Sequence, residues 1–335
     1  MVLTTSSSAP AGSISEEEAA LYDRQIRLWG IEAQNRLKSS RVLLLGIAKL
    51  TVADGETVSS DDIALNFLLP VDGVGKNRSK VVIQRVQALN PMVCVSAIPS
   101  KPEELPYETL LEYDVIILAS GPPMEDLELW LKISRRLENL STTEQKPQLI
   151  CAATVAAFGF SFTDCSVHEF VVEDLAKNKR GHLNASNKVP KSTPGSVLTR
   201  KVVSYPSLVK GLELNWSSLN VQLLPKHVPK GFFLVQVLRR CMPTDLPLTV
   251  DHLQKVWKEV AKSLAVDEGL LVEDDLRCCC VPAVPAVNAI LGGVVAQEIV
   301  RAITRKGAPH GNWSFIDGLR CSVTTEWLPG VESSA

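Results

Sequence analysis

Thiols are the most reactive side chains in this 335-residue chain, and eight of them stand at positions 94, 151, 165, 241, 278, 279, 280 and 321. A thiolate can attack a carbonyl or bind a soft metal, but each use needs a supporting pattern. No Cys-x-x-Cys pair occurs. The run Cys278, Cys279, Cys280 cannot offer three sulfurs tetrahedrally to one zinc without severe backbone distortion. Cys151 and Cys165 fall in or beside apolar runs that read as strands, where a buried thiol is packing and not a nucleophile. No metal site and no thioester cysteine are therefore expected. Two charged residues remain. Arg24, in Tyr22-Asp23-Arg24-Gln25-Ile26-Arg27, puts a planar, permanently charged fork on a helix. Such an arginine, taken alone, is most often solvated or salt-bridged. Asp54 closes a short apolar run.

The whole-chain balance is 35 basic against 37 acidic residues, a net charge of -2, so no global field draws the protein to nucleic acid or an anionic membrane. Charge is concentrated once. Residues 177–201 hold Lys177, Lys179, Arg180, Lys188, Lys191, Arg200 and Lys201 with no acid, which reads as a flexible basic linker, or as a nuclear-import or docking patch. The uncharged stretch from Cys278 to Gln297 has the length of a bilayer span. Pro282, Pro285, Asn288, Gly292, Gly293 and many alanines make it a buried loop and packed helix instead. Neither nucleic acid nor membrane is an expected partner. The opening MVLTTSSSAPAGS lacks a basic start and apolar core, so a reducing compartment and free thiols are expected.

These residues must be held by elements that the sequence outlines. Residues 1–13 cannot repay the entropy of ordering and read as a loose tail. Ser15 and Glu18 form a capping box for a helix starting near Glu16 and stopping at Gly30. Arg41–Leu45 and Lys49–Ala53 are strand-like, yet only Gly46, Ile47 and Ala48 separate them. Parallel neighbours need a crossover of a dozen or more residues, so the pair is either a hairpin or has lost a helix. A helix over 76–89 ends at Asn90-Pro91. Strands over 93–98, 115–119 and 148–153, with a helix near 124–140, indicate a mostly parallel α/β sheet. Helices at 230–240, 252–264 and 285–304 follow, and 313–323 reads as a closing strand and turn. The resulting division is a first part over 14–176, the linker 177–201, and a remainder over 202–330.

Tyr22 to Gly30, Asp72-Gly73-Val74-Gly75, Leu89-Asn90-Pro91, Val167-His168-Glu169-Phe170, Gly292-Gly293 to Val300 and Phe315-Ile316-Asp317-Gly318 together resemble the ubiquitin-like modifier activating enzymes and their molybdopterin and thiamine adenylating relatives. The likeness covers most of 14–327. It implies an α/β, Rossmann-like, mostly parallel sheet of the ThiF/MoeB adenylation type. Among the family's branches, the chain looks like the smaller, regulatory, non-catalytic subunit of a SUMO-activating heterodimer. The equivalent subunit for a NEDD-type modifier, a self-sufficient MoeB-like adenylating enzyme and an inactive truncated isoform are the alternatives.

The family's active domain binds ATP and magnesium and joins AMP to the modifier's C-terminus. Against that pattern this chain carries Leu65 where an arginine is expected and Arg78 at the apparent lysine position, flanked by Lys76 and Lys80. Ala119-Ser120-Gly121-Pro122-Pro123 stands where a magnesium-binding Asp is expected. The glycine-rich turn and crossover helix after the first strand are missing near Gly46. The resemblance thus implies no cofactor on this chain alone, with ATP and magnesium in a larger catalytic partner and SUMO engaged indirectly. Asp54 matches the ribose-binding acid but is vestigial without its phosphate loop. Arg24 matches an arginine that reaches in trans to ATP phosphates in the partner. Family and basic linker together imply the nucleus, with the cytoplasm as second compartment.

Overall fold

In the computed structural model, residues 16–45, 51–120, 127–139, 146–174, 197–214, 216, 229–241 and 248–328 are described. Eight strands form one mixed sheet: β1 (Val42–Leu45), β2 (Thr51–Ala53), β3 (Ser96–Ile98), β4 (Val115–Ser120), β5 (Gln148–Val155), β6 (Phe158–Asp164), β9 (Trp313–Asp317) and β10 (Ser322–Glu326). Their order is β10-β9-β6-β5-β4-β1-β2-β3. The five strands β5, β4, β1, β2 and β3 run parallel, and β6, β9 and β10 extend the sheet antiparallel.

The direct pairing of β1 with β2 corrects the hairpin alternative, because the two are parallel, with Leu43 beside Thr51 and Leu45 beside Ala53. Only residues 46–50, outside the described set, connect them. Six extended residues reach about 20 Å, while the return from Leu45 to beside Leu43 needs about 8 Å from strand rise and spacing. Length therefore permits the pairing, but five residues cannot contain the usual covering helix.

Side-chain alternation in β6 explains how the sheet is covered on both faces. Phe158, Phe160 and Phe162 point to one side: Phe158 stacks on Phe160, and Phe160 and Phe162 meet Trp313 of β9, with Phe162 edge-on to its ring at 4.8 Å. Phe232 and Phe233 of the Lys230–Cys241 helix and Trp257 of the Val250–Leu264 helix complete that aromatic core. The other side of β6 carries Gly159, Ser161 and Thr163. The Pro285–Thr304 helix packs across it, its Val287 coming within 3.2 Å of where a Cβ on Gly159 would sit. Val287, Leu291 and Val295 close the second core over Val42, Val115, Ile117 and Ile150. That helix is long and apolar enough to cross a membrane by length and composition. Here it lays one face on the sheet, and its C-terminal third carries Glu298 and Arg301 joined at 2.8 Å.

Close approach of the Lys230–Cys241 helix to β9 has a testable cost. A Cβ on Gly231 would fall on the Phe315 ring. Gly231→Ala is expected to lower stability by about 1–3 kcal/mol, read as a reduced urea midpoint at unchanged slope.

A two-stranded hairpin, β7 (Val167–Asp174) and β8 (Val197–Ser204), stands on a small core of Cys165, Phe170, Val203, Tyr205 and Ala302. The basic segment 177–201 is therefore not all linker. Arg200 and Lys201 lie in β8, paired with Val171 and Phe170. Its remaining basic residues, like the tail 1–13 and the cap residue Ser15, lie outside the described residues.

At the end of β6, burial pushes the Asp164 carboxyl up to about 6, with the Glu138 carboxylate adding to the rise and the Ser166 amide opposing it. The native state thus holds a proton that the unfolded chain releases near 3.8. Stability from this group is complete below that value and is lost as pH rises through about 6. Asp164→Asn keeps an acceptor for Ser166. It is expected to stabilise the protein at pH 7.5 by about 2 kcal/mol and to make no difference near pH 3.5, as measured by denaturant unfolding at both pH values.

Candidate functional site

The N-terminal segment is three short helices and not one. Glu16–Leu21 stops at Tyr22, Asp23–Trp29 follows, and Gly30 at φ +83 turns the chain into Ile31–Ser39. Gly30 ends the helix as the sequence implies, because its positive φ suits a residue without a Cβ. The Tyr22 hydroxyl and the Asn90 side-chain amide exchange hydrogen bonds at 2.9 and 3.3 Å, which fixes this layer to the end of the Arg78–Leu89 helix.

Arg24 stands exposed on the middle helix and forms no ion pair or hydrogen bond among the described residues. Its neighbour Arg27 is instead committed to Asp23 at 2.9 Å. Leu28, one turn on and on the same face as Arg24, is 77% exposed, and Leu21 and Ile31 are more than half exposed. An unpaired cation is thus ringed by apolar side chains that the chain itself does not cover.

Asp54 lies at the carboxyl end of β2, where open α/β sheets bind ligands, and is almost fully buried. Both of its carboxylate oxygens are already engaged. One oxygen accepts the Glu56 amide at 2.8 Å, and the other meets Arg78 Nε at 2.5 Å. Arg78 also faces Asp62 at 3.5 Å. Burial works against the Arg78 charge, but the Asp54 hydrogen bond and the surrounding carboxylates raise its pKa further above the ordinary arginine value. The loop is braced from below by Asn77, which caps the helix through Lys80 and donates to the Asp54 carbonyl at 2.8 Å, and by buried Ser79. The two candidates for ribose and phosphate recognition therefore satisfy each other. Lys76 pairs loosely with Asp72 at 3.6 Å. Lys80 is exposed, without a carboxylate partner among the described residues.

Each Asp54 oxygen thus already accepts one hydrogen bond, and Ala119 and Ser120 end β4 without a carboxylate that could hold a metal. Tyr22 is tied to Asn90 and Asp54 to Arg78, and those two partners sit about 18 Å apart along one helix.

Five of the eight cysteines are buried, and Cys94 and Cys321 are exposed. Cys151 and Cys165 are buried, and burial drives both thiols well above their ordinary range. The Cys278 thiol donates to the Asp275 carbonyl at 3.1 Å. No cluster of His, Cys, Asp or Glu among the described residues is arranged to hold a metal. The Arg78–Asp54 bond was not foreseen from sequence, although Asp62 and Glu56 nearby mark a locally acidic surrounding that calls for a cation.

Comparison with known proteins places these observations in context. The ThiF family pattern matches residues 44–327. The SUMO-activating enzyme subunit 1 of Xenopus tropicalis is 35% identical over 336 residues, covering 91% of this chain and 94% of that protein. The Danio rerio subunit 1 is 32% identical over 344 residues, covering 94% and 96%. The human subunit 1 is 32% identical over 353 aligned positions, 95% of this chain and 97% of the relative. An alignment longer than this chain means that the relative has residues with no counterpart here.

Proposed function

Because this chain belongs to the ThiF family, we propose that it is the non-catalytic subunit of a heterodimeric SUMO-activating enzyme, acting with a larger catalytic subunit that holds ATP and magnesium. The observation that carries this reading is the contrast between its two candidate sites. Asp54 is spent on Arg78, whereas Arg24 is a cation without an ion-pair or hydrogen-bond partner among the described residues. The near full-length likeness to proteins named SUMO-activating enzyme subunit 1 supports the choice of modifier.

In this reading the chain supplies position and charge. The exposed Leu21, Leu28 and Ile31 seat the N-terminal helices against the partner, and Arg24 then projects into the partner's nucleotide mouth. A guanidinium is suited to that place because it stays charged and offers several donors in a rigid fork. Desolvation at the interface strengthens its attraction for anionic oxygen. When bound in the partner, ATP supplies the activated phosphorus that joins AMP to the modifier's carboxylate. SUMO is engaged through that subunit, and the nucleus is the proposed compartment.

The test is ATP-pyrophosphate exchange by the isolated chain, by the catalytic subunit and by the pair, with SUMO as acceptor. Exchange is expected from the pair alone. Exchange by the isolated chain would overturn the reading.

A further inference from the structure

The amino ends of the parallel strands, opposite the Asp54 end, open on a cleft of about 880 Å³ walled by the starts of β4 and β5, the β6–β7 turn and the end of the Pro285–Thr304 helix. Three cations enter it from three different elements: Arg36, Lys146 and Arg305. None has a carboxylate partner among the described residues. Arg36 donates to the Thr304 carbonyl at 2.8 Å, Lys146 to the Glu138 carbonyl at 3.2 Å, and the Arg305 side chain makes no hydrogen bond. The acids on the wall are engaged elsewhere. Asp114 accepts the Arg41 amide at 2.7 Å, and Glu169 pairs with Arg200 at 3.2 Å.

One wall residue also needs a donor. Gln148 gives its Nε2 to the Ala302 carbonyl at 3.4 Å, while its Oε1 is buried with no hydrogen-bond partner. A buried acceptor left unmade costs free energy that a ligand hydroxyl would return. Beside it, buried His168 has its pKa lowered, first by burial and then by the Arg305 charge. An anion bound near Arg305 would reverse the second of these effects.

We propose that this cleft binds a small phosphate-bearing molecule with a hydroxyl group, its phosphate held by Arg36, Lys146 and Arg305 and its hydroxyl by Gln148. Three separate cations match the three terminal oxygens of a phosphate monoester better than the two of a carboxylate. The volume lies in the range of small-molecule sites and exceeds what a bare phosphate would fill. The site is independent of Arg24 and of the partner subunit, so it stands or falls apart from the activating role.

The full chain is titrated with ribose 5-phosphate, inorganic phosphate and ribose by calorimetry, while the His168 imidazole is followed by NMR. Ribose 5-phosphate is expected to bind and to raise the His168 pKa, phosphate to bind more weakly, and ribose to give no signal. Arg305→Gln and Arg36→Gln should each lower affinity about tenfold, the loss of roughly one charge-assisted hydrogen bond, and Arg305→Gln should do so without moving the ligand-free thermal midpoint. Absence of both heat and His168 response at millimolar phosphate and ribose 5-phosphate overturns the proposal. Undiminished binding by the two arginine variants overturns it equally, and equal affinity for the two phosphates removes the assigned role of Gln148.

Discussion

Replacing Arg24 with Ala in the assembled heterodimer is expected to lower ATP-pyrophosphate exchange by about a hundredfold or more, the usual loss when a donor aimed at developing charge is removed. The structure sharpens this expectation because Arg24 has no partner to lose among the described residues. Its removal should leave the thermal midpoint of the isolated chain unchanged and the heterodimer intact, so the defect falls on turnover and not on folding. Arg27 is the internal control. It lies three residues on, bears the same charge and is exposed to solvent, but its guanidinium is held by Asp23. Surface pairs of that kind contribute well under about 1 kcal/mol, so Arg27→Ala should exchange normally. Arg24→Lys keeps the charge but not the planar fork and should recover only part of the rate. Normal exchange by the Arg24→Ala pair would sink the role assigned to it, whatever became of the heterodimer reading.

Much of the architecture was legible because burial leaves a pattern in sequence. Strands covered on both faces read as unbroken apolar runs, which is why Val42–Leu45 and Val115–Ser120 stood out. The amphipathic Val250–Leu264 helix showed its buried Leu253, Val256, Trp257 and Val260 on one stripe. What escaped was set by contacts between distant residues. Phe158–Asp164 alternates Phe with Gly, Ser and Thr, an ordinary half-exposed signature, yet its small residues are buried because a helix presses on them. β8 begins inside a basic run whose charges belong to a solvated face, so composition suggested a linker over 197–201, where the first residues of the strand lie. The hydrogen bond between Tyr22 and Asn90 joins residues sixty-eight positions apart. Local propensity carries no trace of such a bond. The site divided along the same line: Asp54 and Arg24 were both visible as residues, but their states were not. That Asp54 is quenched and Arg24 free depends on which cation folding brings to which acid.

That quenching is the second large effect. Arg78→Ala is expected to lower stability by about 3 kcal/mol or more, because it strands the Asp54 carboxylate in a site with almost no water. Asp54→Ala should cost somewhat less, since Arg78 is partly exposed and keeps Asp62 at 3.5 Å. If the two charges chiefly compensate each other, Asp54→Asn combined with Arg78→Met should be milder than Arg78→Ala alone. Urea midpoints of the three variants against the unaltered protein measure this directly, and a double variant no milder than Arg78→Ala would refute the compensation. The same variants ask whether Arg78 is all that keeps nucleotide out. Removing it exposes the Asp54 oxygen that could accept a ribose hydroxyl, yet the connection from β1 to β2 is too short to form a phosphate cradle and a helix, and β4 ends without an acid. Arg78→Ala should therefore still give no calorimetric signal with ATP and magnesium. Nucleotide binding by that variant would mean that a single salt bridge, rather than the lost crossover, had closed the site.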